Sequence, residues 1–159
     1  MAASNARSSA APNATERELV VTRILDAPRE LVFKAWTEPK RAMRWMGPKG
    51  VVMTSCDIEL RVGGGYNWNL RSPDGVDHRV GGVYREIVKP ERLVFTWAWE
   101  GEGGKPGHET VVTVILAKHG QKTKLTLRHA VFESVEACNS HHQGWTGSLD
   151  RLAEYVAQA

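Results

Sequence analysis

Cys138, His141 and His142 fall within "ACNSHHQGWTG", immediately ahead of Trp145. A thiol and two imidazoles this close together point to two chemistries, transition-metal ligation and proton transfer. A metal would draw on Cys138 and His141, which share a helical face, with His129 joining from elsewhere. Zinc sites carry paired spacings such as C-x2-C or H-E-x-x-H, and neither occurs in the chain. No metal and no other cofactor is therefore expected. Proton transfer would use His129 and His141, the two catalytic candidates, because imidazole exchanges a proton near neutral pH. Such a pair is oriented by a third group, and no inward-facing carboxylate is evident to play that part. The competing expectation is a histidine satisfied by a hydroxyl or carbonyl at the edge of a cavity. "GEGGKPG" (101–107) has the glycines and lysine of a phosphate loop. However, Pro106 follows Lys105 where Ser or Thr is required, and a strand follows where a helix is required. It reads as a hairpin connection near a cavity mouth.

The elements that position these residues are legible from periodicity. "ELVVTRIL" (18–25) is a strand, and "DAPRELVFKAW" (26–36) a helix with Pro28 at its first position and Glu30 in its first turn. Pro39 opens a second short helix through Trp45, and "GPKG" (47–50) ends it. From Val51 the period changes to two, over 51–60, 65–72, 76–88, 91–99, 108–118 and 122–132. The separators are turn-like, "SPDG" fitting a type I hairpin turn. Consecutive strands with short turns form an antiparallel meander. From Ser134 a long helix carries Cys138, Trp145, Leu149, Leu152 and Val156 on one face. The fold class is α+β: a seven-stranded antiparallel sheet, two short helices between its first and second strands, and a long C-terminal helix. One helix about 10–12 Å across cannot cover seven strands, so the sheet must curl around it and leave a space.

Alternation shows what fills that space. Leu93, Phe95, Trp97 and Trp99 share one face of their strand; so do Tyr66, Trp68 and Leu70, and Leu125, Leu127 and His129. Apolar walls with a few polar tips are the usual lining of a small-molecule site. The expected wall comprises Trp36 and Trp45 from the short helices and Tyr66, Trp68, Phe95, Trp97, Trp99, Leu127 and His129 from the sheet. His141, Trp145 and Leu149 complete it from the C-terminal helix. Gly144 lies inside that helix, where glycine is unfavourable. Ser140, Gly144 and Ser148 form an i, i+4 row of small residues, which predicts close approach of the helix backbone to its neighbours.

At 159 residues and 42% hydrophobic content the chain supports one domain with a real core. "MAASNARSSAAPNA" has no apolar segment for a secretory signal, and residues 1–15 are expected to form a disordered tail. No apolar run reaches the roughly 20 residues of a membrane span. Cys56 and Cys138 form no motif, which suits a reduced cytoplasmic protein. The net charge of +3 arises from basic residues scattered singly, so neither nucleic acid nor membrane is an expected partner.

"DAPRELVFKAWTEPKRAMRWMGPKG", "DIELRVGGGYNWNLRSPDG", "GGVYREIVKPERLVFTWAW" and "HHQGWTGSLDRLAEYV" resemble, in order, the bacterial relatives of the heat-shock protein 90 ATPase activator domain, in the SRPBCC or START-like superfamily. The resemblance covers residues 18–157. It implies the helix-grip (Bet v 1-like) fold over residues 16–159, with a deep hydrophobic cavity between sheet and helix. The leading expectation is binding of a hydrophobic or aromatic small molecule. The alternatives are a cavity enzyme of the cyclase, dehydratase or hydrolase type, and a chaperone-activating interaction module. The chain lacks the additional N-terminal domain of the eukaryotic activators, which argues against the last.

Overall fold

The computed structural model describes residues 17–159; the expected tail over residues 1–15 lies outside them. Strand β1 (Leu19–Leu25) leads into helices α1 (Arg29–Thr37) and α2 (Pro39–Ala42). Six strands follow, β2 (Val52–Ile58), β3 (Gly65–Arg71), β4 (Asp77–Val88), β5 (Arg92–Trp99), β6 (Thr110–His119) and β7 (Lys122–Ala130), and then α3 (Val135–Gln158). The seven strands form one antiparallel sheet in the order β1-β7-β6-β5-β4-β3-β2, curled into a half-barrel. β2 to β7 are thus a meander, and β1 closes onto the last strand in the register Leu19↔His129 to Leu25↔Thr123. Bulges at Met53/Ser55 and Tyr84/Glu86 add local bend to the curl.

Local chemistry explains the element ends. Pro28 is the N-cap of α1 rather than its first helical residue: its ψ of 158° is extended, and its carbonyl accepts from Leu31 and Val32. Pro39 does occupy the first position of α2, which ends at Ala42 and continues as turns to Met46. The "SPDG" turn closes with Gly75 N–H donating to Ser72 O at 2.9 Å and a φ of +86° at Gly75. Ser134 caps α3, its side chain accepting from the Ala137 N–H. α3 packs along β1 and against α1 and buries Cys138, Trp145, Ser148, Leu149, Leu152 and Val156. Each large aliphatic among these contributes about 1.5–3 kcal/mol of burial. No helix among the described residues is long and apolar enough to cross a membrane.

Candidate functional site

Between the N-terminal half of α3 and strands β3 to β5 lies a cavity of about 550 Å³ that opens to the surface. α3 contributes Ser140, His141, Gln143, Gly144, Trp145 and Ser148; β5 contributes Trp97 and Trp99. Leu70, Ser72 and His78 line it from around the β3–β4 hairpin, and Met46, Gly47, Pro48 and Val51 from the segment joining α2 to β2. None of these residues carries a permanent charge.

Of the expected wall, Trp97, Trp99, His141 and Trp145 line the cavity. Trp36, Trp45, Tyr66, Trp68, Phe95, Leu127, His129 and Leu149 are buried but do not line it; they belong to the solid core. The inward aromatics interlock there. Ring centroids are 4.8 Å apart for Trp36–Trp45, 4.7 Å for Tyr66–Trp68 and 5.4 Å for Tyr66–Phe95. Facing side chains thus fill the space beneath one part of the helix and leave it open beneath the rest. The wall residues that sequence reasoning missed come from α3 (Ser140, Gln143, Gly144, Ser148), from around the β3–β4 hairpin and from the α2–β2 segment, whose glycines and proline read only as a helix stop. "GEGGKPG" forms a short closed turn, with Glu102–Gly104 in a 3-10 turn, and contributes nothing to the wall.

The two histidines are neighbours, with ring centroids 5.2 Å apart, and each is fully engaged by other groups. His129 is wholly buried. Its Nδ1 accepts from the Trp145 indole N–H at 3.0 Å, so its proton sits on Nε2, which faces Thr110 Oγ1 at 2.6 Å. The Thr110 hydroxyl in turn donates to Trp97 O at 3.0 Å. Burial, and secondarily the nearby His141, pull the His129 pKa down to about 2. His141 holds the opposite tautomer. Its Nε2 accepts from the Trp99 indole N–H at 2.8 Å, and its Nδ1 donates to Ala137 O at 2.7 Å. Phe132 stacks against both rings, at 4.3 Å and 4.9 Å. With no free lone pair on either ring, the pair holds two tryptophans in place and lacks the means to move a substrate proton.

Other chemistries fare no better. Among the described residues no three His, Cys, Asp or Glu side chains converge on a metal-sized site; His142 is exposed and Cys138 buried. Burial raises the thiol pKa of Cys56 to about 12 and that of Cys138 above its usual value, so neither thiol is activated. Ser72 and His78, both lining the cavity, approach at 3.3 Å. The Ser72 hydroxyl, however, donates to Asp74, which lowers that carboxyl's pKa, and lies 3.1 Å from Val76 O. The acid therefore engages the serine and leaves the histidine unoriented, the reverse of what an activated nucleophile needs.

Gly144 corrects the expected close approach. A Cβ built there meets nothing within 4 Å, because the residue borders the open cavity. The tight contact lies at Gly147, whose Cβ would stand 3.0 Å from Pro48 Cβ and 3.3 Å from its Cα.

Residues 26–157 match the model of the family described as Activator of Hsp90 ATPase homolog 1-like protein. The chain belongs to this family. The solved structures agree. The AHSA1 protein from Silicibacter pomeroyi is 26% identical, with a TM-score of 0.80 over 89% of this chain and 98% of that one. A protein from Chromobacterium violaceum is 28% identical, with a TM-score of 0.75 over 92% and 99% of the two chains. An AHSA1-like protein from Aeromonas hydrophila, 23% identical, shares the fold at a TM-score of 0.73 over 87% and 91%. No curated protein matches the chain.

Proposed function

We infer that this family member binds an uncharged, flat, largely apolar molecule, such as a fused aromatic ring system carrying one hydrogen-bonding group, in the cavity under α3. The observation that carries this reading is the wall itself: three indoles, Trp97, Trp99 and Trp145, border a space of about 550 Å³ with no charged side chain. Aromatic faces of this kind stack with planar ligands. The indole N–H groups of Trp99 and Trp145 are taken by His141 and His129, whereas the buried Trp97 N–H has no partner among the described residues; it, or the exposed Ser140 hydroxyl and Gln143 amide at the rim, can meet the ligand's polar end. Binding takes place in the reducing cytoplasm, where Cys56 and Cys138 stay free thiols.

The test is titration with N-phenylnaphthylamine, an uncharged fluorescent aromatic, alongside native mass spectrometry of freshly purified protein. One probe per chain is expected, with tryptophan emission altered and at least tenfold weaker binding in Trp97→Ala. The family description names an ATPase activator. Stimulation of a heat-shock protein 90 ATPase by a chain that binds no probe would overturn the binding reading in favour of that activity.

A further inference from the structure

The cavity's most distinctive wall is the strap Gly47–Val51, which carries Pro48 and Val51 against the space. Its backbone is preset by two glycines with φ of +102° and +91°, Gly47 and Gly50, which other residues adopt only with strain. A turn bond from Val51 N–H to Pro48 O at 3.0 Å closes it. In this shape the carbonyls of Gly47, Pro48 and Val51 converge on a single atom, Nη1 of Arg151 on α3, at 2.8, 3.2 and 2.9 Å. Arg151 enters none of the ion pairs found among the described residues, so this guanidinium is committed to peptide oxygens. One helical turn earlier Gly147 lets Pro48 lie directly on the helix backbone. On its other side the strap abuts the β3–β4 turn, where a Cβ on Gly50 would stand 3.2 Å from Pro73 Cγ.

We propose that Arg151 is a positioning residue that sets the width of the cavity and hence the size of ligand it accepts. The proposal rests on the binding reading above. Arg151 does not touch the cavity; it acts through the strap, holding Pro48 and Val51 over a compact ligand. The three carbonyls share the two N–H groups of one guanidinium nitrogen, and a lysine ammonium, on a shorter stem and more strongly hydrated, would replace them only in part. Releasing the strap takes away the wall that grips a small ligand and makes room for a larger one.

The experiment compares two uncharged probes, naphthol and Nile red, in wild-type protein, Arg151→Met, Arg151→Lys and Gly147→Ala, with hydrogen exchange of the strap amides followed in each. In Arg151→Met the affinity ratio should move at least tenfold toward Nile red, and the amides of residues 50–52 should exchange faster while those of β6 and β7 do not. Arg151→Lys should recover part of the ratio. Gly147→Ala, which pushes the strap off its second attachment, should move it in the same direction. General destabilisation would weaken both probes together and leave the ratio unchanged. An unchanged ratio in both Arg151→Met and Gly147→Ala, with wild-type protein binding both probes, overturns the proposal alone. Wild-type protein that binds neither probe overturns the binding reading and this proposal with it.

Discussion

Proton placement at His129 follows from its neighbours and has a measurable consequence. Trp145 can only donate, so Nδ1 must accept, and the ring stays neutral with its pKa pulled down to about 2 by burial. In the unfolded chain the same ring titrates near 6.5. Between about pH 2 and 6.5 the unfolded chain therefore binds a proton that the native one does not, and native stability falls as pH falls through that window. From pH 7 to 5 the loss is about 2 kcal/mol, at about 1.4 kcal/mol per pH unit. Urea unfolding at the two pH values should show this drop in wild-type protein and a drop smaller by about that amount in His129→Gln. That variant should also be less stable at pH 7 by about 1–3 kcal/mol, since buried polar partners lose their geometry. Val131 offers the opposite sign. It is a β-branched residue at φ 71°, and it is 58% exposed; the left-handed turn here swings Phe132 under both histidines. Val131→Gly should stabilise the protein by about 1 kcal/mol, because glycine reaches this region without the Cβ clash and little burial is lost. A lower melting temperature in Val131→Gly would contradict the strain.

Gly144 and Gly147 lie on one element and differ because their surroundings differ. Gly144→Ala adds a methyl to open space, so helix propensity decides, and stability should rise by about 0.5–1 kcal/mol. Gly147→Ala drives a methyl toward Pro48, whose strap is held by Arg151 and has little room to give; overpacking of about 1–3 kcal/mol should outweigh propensity. Thermal melts of the two variants should therefore move in opposite directions. Helical spacing identified the buried face of α3 but could not show how deep its neighbour lies at each step. That depth depends on a loop roughly a hundred positions earlier in the chain. The same limit explains the site as a whole. Trp97, Trp99, His141 and Trp145 were legible because period two or 3.6 marks a face unambiguously. Nothing in "GPKG" announces a wall, since its side chains matter less than the direction in which its carbonyls point. For Trp68 and Phe95 alternation correctly gave the inward face, but no pattern distinguishes an aromatic that borders a void from one that fills it.

The architecture was legible almost completely, since a single curled layer with one long helix is the solution open to six meander strands, a leading strand and so little helix. What the order of elements did not determine was where β1 would pair. It joins β7, so the first and last strands meet, and α3 lies along that same β1. Closure of the fold thus depends on contacts between its two ends. All six tryptophans take part: Trp36 touches Trp45 and Trp145, Trp97 touches Trp68, Trp99 and Trp145, and together they connect α1, β3, β5 and α3. Tryptophan emission therefore reports on the whole molecule, while far-UV ellipticity reports mainly on α3 and the sheet ladders. If α3 could leave on its own, emission would change before the sheet unfolds, because Trp145 and the partner of Trp99 depart with it. But leaving would strip β1 of its cover and expose Leu149, Leu152 and Val156 together with their partners in the core. A half-barrel without its helix has one apolar face in water and is not a stable intermediate. The two signals should accordingly fall on one urea transition with a common midpoint, the behaviour of a cooperative single domain. An emission change completed at lower urea than the loss of ellipticity would mean that the helix and strap open as a separate unit.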